Sequence, residues 1–254
     1  VKNINKFNII IEEFTLALQN NDHEKVKTFY QTIKEVLEFF FINNKSKLSK
    51  ELINFLQSKI NLIINIIIEA LDEEEDKFSI LLIKYIFENL KYLDNTKEII
   101  EAMADKFITD ELYNARIIRF LSKRFEKAEN QLQTFLDLCL NKLDNSSEEG
   151  VYYNIYNFII SIEKMVEIEN KKLYQNIVIK MINSRNFPDD LMKELLLGLN
   201  KNIFDNIENP LILADYLIEI YENSKEFDIK TLSLSGLFVL ITKYKLDYPS
   251  YYNI

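Results

Sequence analysis

The sequence predicts an all-α protein, and three observations carry that prediction. Apolar residues recur at three-and-four spacing from one end of the chain to the other, the period of a helix with one buried face. Three glycines and three prolines in 254 residues starve the chain of tight turns, since globular proteins ordinarily carry roughly 7% and 5% of these residues. A hydrophobic share of 48% is enough to build a core and excludes disorder as the default state. Abundant isoleucine favours strands when each residue is weighed alone, but a sustained helical period outweighs that weak local preference.

Breaks fall where Asn, Asp, Ser, Gly or Pro cluster, and about twelve helices lie between them. The first, over 4–19, stops at Asn20-Asn21-Asp22, and the second runs over 22–42 to Asn43-Asn44. A third, over 48–71, meets the acidic run Asp72-Glu73-Glu74-Glu75-Asp76, read as a solvated turn rather than a dock for a basic partner. The fourth, fifth and sixth occupy 76–93, 96–107 and 110–125. The seventh, 127–143, gives way to Ser146, which with Glu149 is expected to form a capping box opening the eighth over 147–165. The ninth is 169–184. Asp189 and Asp190 after Pro188 open the tenth, 189–206, placing negative charge where the helix dipole favours it. Pro210 behind Asn209 suits the first helical position of the eleventh, 210–223, and the last is 229–245.

Short connections between consecutive amphipathic helices force antiparallel neighbours, and helix pairs recur roughly every forty residues. That is the spacing of HEAT-like repeats. The expected fold is therefore a HEAT-like irregular α-solenoid of about twelve antiparallel helices, with a globular helical bundle as the alternative because the pairs share little sequence. In a solenoid each pair touches only its neighbours, and a long curved face is left for binding.

A formal charge of −9 argues against the whole surface being a footprint for nucleic acid, which needs a clustered positive field, and points to protein partners. Four arginines stand beside twenty-seven lysines, and Asn and Ile are abundant. That bias reads as AT-rich coding, and most of the asparagines read as codon drift. The single Cys139, in an apolar setting, reads as a buried core thiol, so no intrachain disulfide is expected. The single His23, at a helix start, reads as a surface residue and cannot by itself supply a triad. Phosphate-cradling glycine loops, metal-ligand spacings and nucleophile motifs are absent from the sequence, so no enzymatic activity, cofactor, metal or small-molecule substrate is expected. No membrane partner is expected either, because the longest apolar candidates, Ile60 to Ile68 and Leu232 to Thr242, are interrupted by Asn61 and Asn65 or too short to cross a bilayer.

Arg116, Arg119 and Arg124 fall within nine residues, and on a helix Arg116, Arg119 and Lys123 share one stripe. Arginine retained where lysine is the cheap codon suits forked recognition of carboxylate or phosphate. The simpler reading is a solvated face with cations favourably placed near a helix C-terminus.

The segment from Leu232 to Tyr252 joins an uncharged helical run, a lone glycine and an aromatic-proline ending. Gly236, Leu237, Phe238, Leu240, Ile241, Lys243, Leu246, Tyr248, Pro249, Tyr251 and Tyr252 stand in an order that resembles the opening of the CCAAT-binding-factor (CBF) domain of the nucleolar complex proteins, above all the nucleolar complex protein 4 family. A fainter match precedes it, from Asn209-Pro210 through Asp215-Tyr216-Leu217, so the resemblance covers roughly the last fifth of the chain. With the helix spacing it divides the chain into an α-helical HEAT-like repeat region over 1–225, read from the spacing, and the beginning of a CBF-type helical domain over 226–254, truncated here, which the resemblance implies. A chain starting at Val1 and stopping at Ile254 is accordingly expected to be a fragment.

The resemblance also implies a nucleolar, and hence nuclear, scaffold in ribosome biogenesis. It would act in small-subunit assembly and ribosomal RNA processing within the small-subunit processome. Its partners would be a nucleolar protein 14-type protein and other processome proteins, with pre-ribosomal RNA met indirectly. The rival readings are a large-subunit nucleolar complex assembly factor and a generic HEAT-like adaptor in transport. Within the motif, Leu232, Leu234, Leu237, Phe238 and Ile241 are expected to form a core stripe and Gly236 a close helix crossing. Tyr248, Tyr251 and Tyr252, beyond the helix-ending Pro249, are candidates for partner contact as rigid amphipathic anchors.

Overall fold

Helical periodicity becomes thirteen α-helical segments among the residues the structure describes, and no strand occurs among them. The computed structural model describes residues 2–43, 48–71, 76–109, 111–184 and 187–247. Residues 72–75 of the acidic run lie outside these. The chain divides into two compact units, 1–106 and 107–254.

In the first unit α1 (Lys2–Gln19), α2 (His23–Glu38), α3 (Lys50–Glu69) and α4 (Asp76–Leu90) come in succession, and α5 (Lys97–Phe107) runs to the boundary. α1 packs on α2 and α3, and α3 on α4. The turn from α1 to α2 takes three residues. Asn21 adopts a left-handed φ of 51°, and the backbone N–H groups of Asn21 and Asp22 donate to Leu18 at 3.1 Å and Ala17 at 2.9 Å, the pattern that closes a helix end. Asp22 then caps α2 by accepting from the Lys25 N–H at 3.2 Å. α2 widens into a π-helical turn, Phe39–Asn43.

α3 is long and apolar enough to cross a bilayer by length and composition. Here it packs against α1 and α4, with Leu56, Ile60, Ile63, Ile64, Ile67 and Ile68 buried. Between α2 and α4, the buried Tyr30 ring stacks on Tyr85 with centroids 3.4 Å apart. The Asn89 amide donates to the Tyr30 hydroxyl at 2.9 Å and to the Tyr85 carbonyl at 2.7 Å. His23 departs from the expected surface setting, because its ring stacks on Phe78 of α4 at 3.8 Å. A ring at the first position of α2 lies over whichever helix packs beneath that end, which helix-start spacing does not reveal.

In the second unit α6 (Ala115–Phe125), α7 (Glu129–Asn145), α8 (Glu149–Ile160) and α9 (Ile168–Asn183) follow, then α10 (Asp189–Gly198). α10 runs through a π-helical turn, Leu199–Ile203, into the single turn α11 (Phe204–Asn206). A 3-10 turn, Pro210–Leu213, leads into α12 (Ala214–Asn223), and α13 (Phe227–Thr242) ends the described helices. Helices two apart in sequence lie on each other: α6 on α8, α8 on α10, α7 on α9 and α9 on α11, while α13 packs on both α10 and α12. The core holds Phe125, Phe135 and Phe158 in mutual ring contact, with Cys139 and Tyr174 fully buried.

Several expected helix starts hold. Asn209 accepts from the Leu211 N–H at 3.2 Å with Pro210 at the first position. Asp189 and Asp190 occupy the first turn of α10, where Asp190 also accepts a hydrogen bond from the Tyr153 hydroxyl. The capping box does not form. Ser146 ends α7, and its hydroxyl accepts from the Glu148 N–H at 3.1 Å, so Glu149 begins α8 instead of standing three residues inside it.

Two further differences share one cause, the buried asparagine amides. Asn154 donates to the carbonyls of Thr109 at 3.0 Å and Glu111 at 2.7 Å and accepts from the Tyr113 N–H at 3.1 Å. With that backbone occupied, helix α6 opens only at Asn114, which caps the Arg116 N–H at 2.9 Å. Asn206 repeats the arrangement fifty-two residues on, donating to Ile162 at 3.2 Å and Glu163 at 3.3 Å and accepting from the Met165 N–H at 2.7 Å. Asn202 adds bonds to the Ile160 and Ile162 carbonyls at 2.9 and 3.0 Å. α8 therefore stops at Ile160 instead of continuing to residue 165. Asn154 and Asn206 are 1% and 0% exposed, so these two, with Asn89, are structural rather than drift.

Removing the fully buried Asn206 amide takes away the bonds to the Glu163 carbonyl and the Met165 N–H, while the Ile162 carbonyl keeps its bond from Asn202. Asn206→Ala is expected to cost about 3 kcal/mol of stability in urea unfolding. Asn176→Ala, on the exposed side of α9, is expected to stay within about 0.5 kcal/mol of the unaltered chain.

Candidate partner-binding surface

The arginine stripe sits on α6, whose inner face buries Ile117, Ile118, Leu121 and Phe125. Arg116 and Arg119 are exposed. Lys123 is drawn into the fold: its ammonium pairs with Glu163 at 2.7 Å and with Glu126 at 3.5 Å, tying α6 to the segment after α8. That contact holds the Glu163 carboxyl below the usual carboxylate range, through the hydrogen bond from Lys123 first and its charge second. Glu126 also accepts from the Lys164 N–H at 2.8 Å. Arg124 lays its guanidinium over the Phe120 ring, 4.7 Å from the centroid. Of the four cations, Arg116 and Arg119 are exposed, Lys123 pairs with acids beyond α6 and Arg124 lies over a ring of α6 itself.

The C-terminal motif is built on α13, which is apolar almost all round. Leu237 and Leu240 are fully buried and Gly236 is buried between them and the helices below. A Cβ on Gly236 would stand 3.0 Å from a methyl of Leu217 in α12 and 3.7 Å from one of Leu199, so the expected close crossing is present. Phe238 departs from the expected core stripe. It is 54% exposed, on the side of α13 shared by Phe227, Thr231 and Thr242. Composition does not separate the two sides of a helix this apolar, whereas packing on α10 and α12 does. Leu232, Leu234 and Ile241 are half-buried. Tyr248, Pro249, Tyr251 and Tyr252 lie outside the described residues.

Lys243 reaches Asp205 of α11 at 2.6 Å, and the Tyr244 hydroxyl donates to the same carboxylate oxygen at 2.7 Å. Lys171 of α9 donates to the Asp205 carbonyl at 3.3 Å. The end of α13 is closed by Lys245 at a left-handed φ of 63° and by the Leu246 N–H bonding to the Leu240 carbonyl at 3.0 Å. Hydrogen bonds from Lys243 and Tyr244 hold the Asp205 carboxyl below its ordinary value. A cavity of about 300 Å³ lies beside this junction, lined by Asn202, Phe204, Asp205, Val239 and Lys243. Sequence reasoning passed over Asp205; its one signal is the neighbouring Asn206, which faces the opposite connection.

This chemistry locks helices together. Burial pushes the Cys139 thiol well up, so it stays protonated. No group of three or more His, Cys, Asp or Glu side chains converges to hold a metal among the described residues.

The class so defined is an all-α protein of closely packed helices whose motif residues serve helix packing. The chain is similar to curated nucleolar complex proteins. It is 32% identical to the Arabidopsis thaliana protein NUCLEOLAR COMPLEX ASSOCIATED 4 over 66 residues, 26% of this chain and 11% of that one. Against the Mus musculus nucleolar complex protein 4 homologue it is 30% identical over 85 residues, 34% of this chain and 16% of the relative. Similarity to the Danio rerio homologue extends over 98% of this chain at 21% identity, covering 45% of the relative. The chain thus spans less than half the length of these relatives. No family model matches, and no solved structure matches.

Two outcomes test the junction. Gly236→Val is expected to destabilise by about 1–3 kcal/mol, since the Leu217 methyl at 3.0 Å leaves no room for a branched side chain. Because the Asp205 pKa is lower in the folded than in the unfolded chain, its contribution is present above the unfolded value and is lost as pH falls through the folded one. The stability gap between the unaltered chain and Asp205→Asn should therefore be open near neutrality and close as pH drops below about 4.

Proposed function

We propose that this chain is a helical scaffold segment of a nucleolar ribosome-assembly factor, working in small-subunit assembly and ribosomal RNA processing within the processome. The observation that carries the reading is the Gly236 to Leu246 signature, whose residues pack α13 onto α10, α11 and α12, together with the similarity to nucleolar complex protein 4 homologues. The fold supports a role as surface rather than as catalyst: we read the two rows of helices in the second unit as an irregular solenoid, with residues 226–254 opening a CBF-type domain. A nucleolar protein 14-type partner would bind through a few aromatic and aliphatic anchors, with charge setting register, and pre-ribosomal RNA would be met through such partners. The nucleolus is the matching location.

The test is purification of the tagged full-length protein from its own cells, with mass spectrometry of partners and sequencing of bound RNA. Small-subunit processome factors with the nucleolar protein 14-type partner dominant are expected. Large-subunit precursors would move the protein to the sister branch, and transport factors alone would overturn the family reading. In the same assay Arg116→Glu combined with Arg119→Glu is expected to leave partner recovery unchanged, as a solvated face requires; a large loss would place a dock on α6.

A further inference from the structure

α1 and α3 of the first unit leave an open groove of about 440 Å³ between them. Its walls are Ile11, Leu16, Leu62 and Ile66, and its rim carries Glu12, Glu13 and Gln19. Leu16 is 53% exposed and Leu62 44%, so two large aliphatic side chains face each other across the groove with much of their surface in water. Thr15, also in the lining, gives its hydroxyl hydrogen to the Ile11 carbonyl at 2.8 Å, which leaves the walls apolar in effect.

The charge around the groove is one-sided. Among the described residues no Lys or Arg lines it. Neither Glu12 nor Glu13 forms an ion pair with a described residue, and Lys25, whose protonated form Glu13 favours, is held by Asp22 at 2.8 Å. On α3 the exposed Glu69 stands seven residues beyond Leu62 on the same side. Along α1, the exposed Ile9 stands seven residues before Leu16, two turns or about 10 Å away.

We infer that the α1–α3 groove is a docking site for a basic amphipathic helix of a protein partner. Such a helix would lay an i, i+3/i+4, i+7 aliphatic stripe between Leu16 and Leu62 and set Lys or Arg against Glu12 and Glu13. The acidic rim repels nucleic acid and anionic lipid, and it disfavours a second copy of a chain whose own net charge is −9. The inference stands on the groove alone and is independent of the ribosome-assembly reading.

The test uses the whole 254-residue chain and three synthetic peptides of about eighteen residues, or five helical turns. One is a leucine-striped helix flanked by Lys and Arg. The second is its scramble, and the third keeps the stripe but carries Glu in place of the cations. Fluorescence anisotropy at physiological salt should show the striped basic peptide binding about tenfold or more tighter than either control. Glu12→Lys with Glu13→Lys should weaken it about tenfold, and Leu16→Asn with Leu62→Asn about fivefold, with circular dichroism unchanged because all four residues are exposed. Equal binding of the scramble, or undiminished binding by either double variant, overturns the site. Sedimentation as a dimer that Leu16→Asn with Leu62→Asn converts to monomer would assign the groove to a second copy and overturn the basic-helix occupant.

Discussion

Every buried backbone N–H and C=O in a folded chain must find a partner, and here that requirement falls on side-chain amides. Turns in most proteins are closed by glycine or proline, which let the backbone bend sharply enough to pair with itself. Three residues of each are too few for a dozen helix connections. Asn154 instead holds the connection before α6, and Asn202 and Asn206 hold the one after α8. Each amide supplies two donors and one acceptor in a fixed plane, so it fixes both position and direction of the segment it catches. Because Asn154 sits on α8, Asn202 in the π-helical turn and Asn206 in α11, each ties its own segment to a connection about forty residues earlier in the chain. The shared fifty-two-residue offset makes this a repeated device, although the helices around it differ in length and one includes a π-helical turn.

This explains what could be read from the sequence. Helix number and most helix bodies were legible, since burial of an aliphatic face repeats at 3.6 residues whatever lies opposite it. Ends that rest on local chemistry, such as Asn209 with Pro210 or Asp22 before α2, were equally legible. The ends set from forty residues away were not. Nothing near residue 160 announces a stop, because the groups that end α8 are Asn202 and Asn206. Composition misled in the same place: an Asn-rich chain hides a handful of indispensable asparagines among many exposed ones, and only burial separates Asn206 from Asn176.

The candidate site divides along the same line. Gly236, Leu237, Leu240 and Lys243 were legible as a pattern, and their setting gives a physical reason for each: a methyl against the glycine, two fully enclosed leucines and a carboxylate partner for the lysine. The partner of that lysine was not legible, since Asp205 is one acid among forty. The arginines on α6 show the converse. Spacing placed Arg116, Arg119 and Lys123 on one stripe, yet Lys123 is drawn in by Glu163 from another connection while Arg116 and Arg119 are exposed. Spacing assigns a face; only the fold says what that face meets.

Charge pairing completes the picture. Many of the ion pairs among the described residues are exposed, three or four residues apart on one helix, and worth little to stability. Others join different elements: Lys34 with Glu88, Lys193 with Glu226, Lys180 with Asp144, Lys123 with Glu163 and Lys243 with Asp205. Lysines used in this way are not available to neutralise carboxylates elsewhere, and a chain with forty acids and thirty-one bases must leave some acids uncompensated. Where such acids border polar surface, water solvates them at no cost. Where they border half-exposed leucines, the same water must also cover apolar area, which raises the free energy of the empty surface. Glu12 and Glu13 beside Leu16 and Leu62 are in the second situation, and a ligand that is both cationic and aliphatic relieves both terms at once.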